Sequence, residues 1–127
     1  MLVIPASLYA QLLKTAQMAM PLEVVGILAG GEKVQEILPL ANIAVQPSKE
    51  FFASPNDLAQ ALRHMRTQNL KLLAFYHSHP QSPAVPSQID YERAYWDVPM
   101  LILDVQNQRA RAWNLETAQE VPVVLSG

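Results

Sequence analysis

At 127 residues with a net charge of −2 and no cysteine, the chain has the length of one domain, enough to bury roughly two thirds of its unfolded surface. Half of its residues are hydrophobic and 16% are charged, a balance that fits a globular core and argues against disorder. Without cysteine there are no disulfides, thiol nucleophile, thiolate zinc site or iron–sulfur cluster, so any metal must be held by nitrogen and oxygen. The slight negative charge counts against recognition of a phosphate backbone. No segment approaches the roughly 18 consecutive apolar residues of a membrane span, and the start, MLVIPASLYAQLLK, lacks the basic-then-apolar pattern of a signal peptide. A cytoplasmic location and a single domain over residues 1–127 are the expectations.

After a short apolar start, Leu8, Leu12, Leu13 and Ala16 recur at helical spacing and Pro21 stops the pattern, which predicts a helix from about Ser7 to Ala19. EVVGILA, from Glu23, and Val34 to Leu38 read as two strands of a hairpin turning at GGEK, with Glu23 the only charge in the first. Residues 39–53 mix apolar pairs with proline and asparagine, and predict a connecting strand or irregular segment. In SPND, Ser54 as cap, Pro55 in the first turn and Asp57 suit the orphan N–H groups and the dipole of a second helix, running to about Gln68. LKLLAFYHSH is apolar almost throughout, as expected of a central strand covered on both faces. A proline-rich loop, PQSPAVP, then precedes a third helix, SQIDYERAYW, from Ser87. MLILDV and RARAWNL, joined at QNQ, and a final VPVVL read as strands. The alternation of helices and strands, with hairpins at both ends of the sheet, predicts a three-layer mixed α/β sandwich.

Two of the three histidines fall in the tripeptide HSH at the end of the central strand. Residues i and i+2 of a strand share a face about 6.6 Å apart, so His77 and His79 can converge on one ion while Ser78 faces away. Strand ends are also where open α/β sheets bind ligands. Asp90 projects from the first turn of the following helix, and Pro80, Pro83 and Pro86 restrict the loop between. Two imidazoles and a carboxylate leave a fourth tetrahedral position for water, the layout of a catalytic rather than a structural zinc site. Each element also has an ordinary explanation. An isolated H-x-H is weak evidence of metal binding, Ser87 with Asp90 suffices as a capping box, and a lone glutamate such as Glu23 usually ends a strand in solvent. The order of the residues narrows the choice. There is no H-E-x-x-H helix, no cysteine pair as in zinc deaminases, too little chain for a (β/α)8 metallohydrolase of about 250 residues, and no histidine after His79 for a cupin.

Glu23, His77, Ser78, His79, Pro80, Ser87 and Asp90 resemble the JAMM motif of the MPN-plus metallopeptidases: a glutamate, then H-[ST]-H-P-x6-S-x2-D. The likeness extends to PLEVVGILAGG, the Asn42 segment followed by Phe51, SPNDLAQAL and LLAFYHSHP, all of which look like small prokaryotic members. The resemblance implies an MPN fold, a cytidine-deaminase-like sandwich. It implies that His77, His79 and Asp90 bind Zn2+, that Glu23 acts as general base and acid, and that Ser87 hydrogen-bonds the water or the tetrahedral intermediate. It also implies hydrolysis of an amide bond after the C-terminal diglycine of a ubiquitin-like or sulfur-carrier protein. Only Asp97, Val98 and Pro99 separate the third helix from MLILDV, leaving little room for the insertions with which eukaryotic relatives grip a second ubiquitin.

Two other readings stay open: a non-catalytic MPN scaffold, which usually lacks a ligand that this chain has, and a RadC-like DNA-associated protein, which the charge disfavours. Two imidazoles and a carboxylate also suit iron or cobalt. His64, beside Arg63 and Arg66, is expected on a solvated helix face. Tyr91, Tyr95 and Trp96 on the third helix can pack in the core or flank a substrate groove, and the core is the expectation.

Overall fold

The computed structural model describes residues 1–92 and 97–127. Strand β1 (Leu2–Pro5) runs into helix α1 (Ala6–Ala19), which buries Leu12, Leu13 and Ala16. Strands β2 (Val25–Gly30) and β3 (Val34–Leu40) form the expected hairpin. At its turn a Cβ on Gly30 would collide with the Lys33 carbonyl, so only glycine fits there. Helix α2 (Pro55–Thr67) starts at Ser54, whose Oγ accepts the Asp57 N–H at 3.3 Å. The Asp57 carboxylate in turn accepts the Ala41 N–H at 2.8 Å, which ties the helix start to the end of β3. Strand β4 (Lys71–His79), helix α3 (Gln88–Glu92) and strands β5 (Met100–Asp104), β6 (Arg109–Asn114), β7 (Gln119–Val121) and β8 (Val123–Ser126) follow.

A six-stranded mixed sheet has the order β3-β2-β4-β5-β6-β7, with β4 and β5 parallel and the other neighbours antiparallel. β4 is therefore an inner strand, as its apolar run predicts. Alternate residues of the strands enter two cores. Leu28, Ala74, Tyr76, Leu101 and Leu103 pack with α1 and β1, whereas Ile27, Phe75, Met100 and Ile102 pack with Ala61 and Met65 of α2. Full burial of such an aliphatic side chain contributes about 1.5–3 kcal/mol. The result is the expected three-layer α/β arrangement, and its period-two alternation puts His77 and His79 on the α2 face with Phe75.

Three details differ from the sequence reading. The apolar start forms a strand, β1, because it has a parallel partner in β8 more than a hundred residues away. VPVVL does not continue one strand: Pro122 has no N–H for a ladder, and the chain leaves the sheet there, the Pro122 carbonyl accepting the Leu2 N–H at 2.8 Å. Glu23 precedes β2 rather than opening it. Beside it, the Val24 N–H is bonded by the Ser78 hydroxyl at 2.9 Å in place of a backbone carbonyl. Residues 41–53 are irregular apart from a bridge between Asn42 and Ala53. No helix among the described residues is long and apolar enough to cross a membrane.

Candidate metal centre

His77 and His79 emerge at the end of β4, and the loop after it folds back to bring Asp90 from the first turn of α3 against both rings. His77 Nε2 lies 3.0 Å from Asp90 Oδ1, His79 Nε2 lies 3.0 Å from Asp90 Oδ2, and the two Nε2 atoms are 3.1 Å apart. All three residues are at least 95% buried. Ligand atoms bound at about 2.0–2.1 Å in tetrahedral directions stand about 3.3–3.4 Å apart, so this triangle has nearly the required size.

The donor chemistry fits as well. His79 Nδ1 lies 2.8 Å from the Pro83 carbonyl, which can only accept, so Nδ1 carries the hydrogen and Nε2 offers a lone pair to the triangle. Three electron-rich atoms in contact and out of water repel one another unless a proton or a cation stands among them. His77 is oriented differently. Its buried Nδ1 has no hydrogen-bond partner among the described residues, and its ring stacks on Phe51 with centroids 4.4 Å apart.

Electrostatics separate the two rings. Burial holds the His77 imidazolium below the usual histidine range despite its bond to Asp90. For His79 burial acts the same way but is outweighed by Asp90 and the Pro83 carbonyl, and its pKa rises. Burial also opposes ionisation of Asp90, yet the hydrogen bonds from both histidines hold its carboxyl far below the usual carboxylate range. Glu23 is 8% exposed. Burial pushes its pKa up to about 7; the positive charge of His79 opposes this, and the carboxylates of Asp90 and Glu50 reinforce it. A carboxyl that is half-protonated near neutrality can both take and return a proton.

The loop between the histidines and Asp90 is held by its carbonyls. Gln106 Nε2–H bonds the Pro80 carbonyl at 3.0 Å, His79 bonds that of Pro83, and Trp113 Nε1–H bonds that of Ala84 at 2.8 Å. At its end Ser87 and Asp90 form the expected reciprocal cap: the Asp90 N–H donates to Ser87 Oγ at 3.2 Å and the Ser87 N–H to Asp90 Oδ2 at 2.9 Å. The capping bond therefore orients the same carboxylate that faces the histidines.

The five residues singled out from the sequence thus fall in one neighbourhood, and the bystanders stay outside it. His64 on α2 pairs with Glu36 at 2.8 Å on an exposed surface, as expected. Tyr91 is a correction: it is 39% exposed rather than in the core. With Asp90 turned inward, the next residue of a helix points about 100° away. Tyr95 and Trp96 lie outside the described residues. Ser78, assigned only an outward direction, in fact bonds Val24. Asn42, Phe51, Gln106 and Trp113 were given no part in the site. Their signals in the sequence are faint, because each acts through a backbone carbonyl, a backbone amide or a ring contact that forms only in the fold.

Comparison with known proteins agrees with this geometry. A family described as prokaryotic homologues of the JAB domain matches residues 5–116. A probable TtuB-protein conjugate cleaving protease of Thermus thermophilus is 40% identical over 105 residues, covering 83% of this chain and 70% of that protein. A desampylase of Haloferax volcanii is 30% identical over 110 residues, covering 83% and 79%. The crystal structure of a JAB1/MPN domain protein from Archaeoglobus fulgidus superposes with a TM-score of 0.67 at 19% identity, covering all of both chains, which identifies the mixed α/β fold as that of MPN domains. The chain therefore belongs to the prokaryotic JAB, or JAMM, family of metallopeptidases.

Proposed function

We propose that this protein is a zinc-dependent isopeptidase that hydrolyses the amide bond after the C-terminal diglycine of a ubiquitin-like or sulfur-carrier protein. The observation that carries the reading is the buried triangle of two Nε2 atoms and one carboxylate, with edges of 3.0–3.1 Å, and the buried Glu23 near enough to feel the charges of His79 and Asp90. Two similar proteins, one named for cleaving TtuB–protein conjugates and one named a desampylase, support the substrate class.

In this reading His77, His79 and Asp90 hold the ion. Zinc, when bound, supplies Lewis acidity and lowers the pKa of its water from roughly 15.7 to about 7. Glu23 takes a proton from the attacking water and returns it to the leaving amine, a role its raised pKa suits. A second carboxylate on the metal would be too firmly ionised to do the same. Ser87 is exposed, its Oγ accepts the Asp90 N–H, and in the hydrolysis its hydroxyl hydrogen is free to be donated to the developing oxyanion. A diglycine tail has no side chains, so its recognition rests on main-chain hydrogen bonds to an extended segment.

The test is cleavage of a diglycine-linked carrier-protein conjugate by the zinc-loaded protein, beside the Glu23→Gln variant. Parent turnover with a loss of about 100-fold to 10,000-fold in the variant, at equal zinc content, is expected. Equal rates in the two proteins would contradict the role of Glu23, and an inert zinc-loaded parent would contradict the substrate class.

A further inference from the structure

We propose that Asn42 and Ser78 are positioning residues for Glu23, two side chains that clamp the peptide unit joining it to Val24, one at the Glu23 carbonyl and one at the Val24 N–H, and thereby set where its carboxyl stands relative to the metal ligands. The inference deepens the function proposed above and rests on its assignment of Glu23 as the proton carrier.

Glu23 lies outside the sheet ladder, so the strand does not fix it, and an irregular segment needs other partners for its polar backbone groups. Its N–H donates to the Pro47 carbonyl at 2.8 Å, and its own carbonyl accepts from Asn42 Nδ2 at 2.9 Å. One residue on, the Val24 N–H donates to Ser78 Oγ at 2.9 Å, and the Val24 carbonyl accepts the Ser78 N–H at 3.0 Å. Ser78 is fully buried between the two histidines in sequence and faces the opposite side of the sheet. The same residue spacing that aims His77 and His79 at the ion therefore aims Ser78 at the segment carrying the base.

Asn42 reaches further than Glu23. Its Nδ2 also bonds the Glu50 carbonyl at 3.0 Å and the Pro47 carbonyl at 3.5 Å, and its Oδ1 accepts the N–H groups of Ala44 and Phe52, each at 3.0 Å. The bonds to Glu50 and Phe52 bracket Phe51, whose ring stacks on His77. One amide side chain thus fixes the proton carrier, the ring that orients a ligand histidine, and Glu50, the carboxylate that reinforces the raised pKa of Glu23. The task needs both ends of an amide. Aspartate keeps the acceptor but turns a carboxylate toward the carbonyls of Glu23 and Glu50, and alanine leaves all these groups unpaired.

The experiment compares zinc content, kcat and KM for the parent, Asn42→Asp, Ser78→Ala and Ser78→Thr on the diglycine conjugate, with amide hydrogen exchange of each. A misplaced base costs turnover without releasing metal or substrate. The expectation is one zinc per chain throughout, KM within about threefold, kcat lower by at least about tenfold in Asn42→Asp and Ser78→Ala, and recovery of most of the rate in Ser78→Thr, which keeps the hydroxyl. The Glu23 and Val24 amides should exchange faster in the two impaired variants while those of β4 do not. Unchanged kcat, or loss of zinc in step with kcat, overturns the proposal. If Asn42→Asp fails to fold, the serine pair carries the same comparison. A zinc-loaded parent without activity contradicts the function reading instead. In that event the exchange data decide the present one: selective deprotection of Glu23 and Val24 supports it, and unchanged protection overturns it.

Discussion

A buried carboxyl at position 23 suits the proton transfer proposed for it and is unfavourable to the fold when ionised. The pKa of Glu23 rises from an ordinary 4.5 to about 7, mainly through burial. The folded protein therefore binds more protons than the unfolded chain between those values. The stabilising share of the protonated form is fully present below about 4.5 and is lost as pH rises through about 7. Above that range the ionised carboxylate disfavours the metal-free fold by roughly 3 kcal/mol relative to the acid side. Glutamine in its place does not ionise. Metal-free Glu23→Gln should accordingly gain thermal stability over the parent at pH 8 and little or none at pH 5, a difference that melting curves at the two pH values would show. Equal gains at both pH values would mean that Glu23 does not titrate between them. The candidate metal ligands at this scale were legible because their geometry is local: His77 and His79 are two apart on a strand, and Asp90 follows its own cap. Asn42 was not, since its five bonds join Glu23 to the irregular 41–53 segment through the backbone.

Among the elements, the proline-bearing loop between β4 and α3 determines whether Asp90 meets the histidines. Three hydrogen bonds to its carbonyls, from Gln106, His79 and Trp113, replace the regular ladder it lacks. Trp113→Phe keeps an aromatic ring, smaller than indole, against the α2-side core and removes the N–H that holds Ala84. The expected result is zinc affinity weaker by about tenfold with a nearly unchanged melting temperature for the metal-free protein, in line with the effect of outer partners on metal ligands. Competition with a chelator for zinc would measure it; an unchanged affinity would show that the loop holds its shape without this bond. Elements with start and stop signals were readable in advance. Ser54 caps α2, Pro21 follows α1, and the glycines at 30 and 31 turn the first hairpin. β1 was not, because a four-residue apolar segment becomes a strand only when a distant partner supplies its ladder, and β8 was read only as part of VPVVL, without the break at Pro122 that gives it β1 as partner.

For the molecule as a whole, the ion would join residues that the chain brings together from separate elements, β4 and α3, so metal binding and folding should be linked. Any ligand that binds only the folded state stabilises it by RT ln(1 + [L]/Kd), about 4 kcal/mol at a thousandfold excess over Kd. A chain of this length gains a few degrees in melting temperature per kcal/mol, so zinc at that excess should raise the transition by roughly 10 °C or more. His77→Ala should not respond. The three-layer organisation was readable from the order of helices and strands, whereas the closing ribbon of β1 and β8 depends on Pro122 ending one pairing and permitting another.

His77, His79 and Asp90 are proposed to hold a zinc ion, and the most direct measurement is elemental analysis of the purified, untagged protein with His77→Ala alongside. About one zinc per chain in the parent and none in the variant is the predicted result. A parent that retains no metal after zinc is supplied and dialysed away would contradict the account and leave the fold with the role of a scaffold.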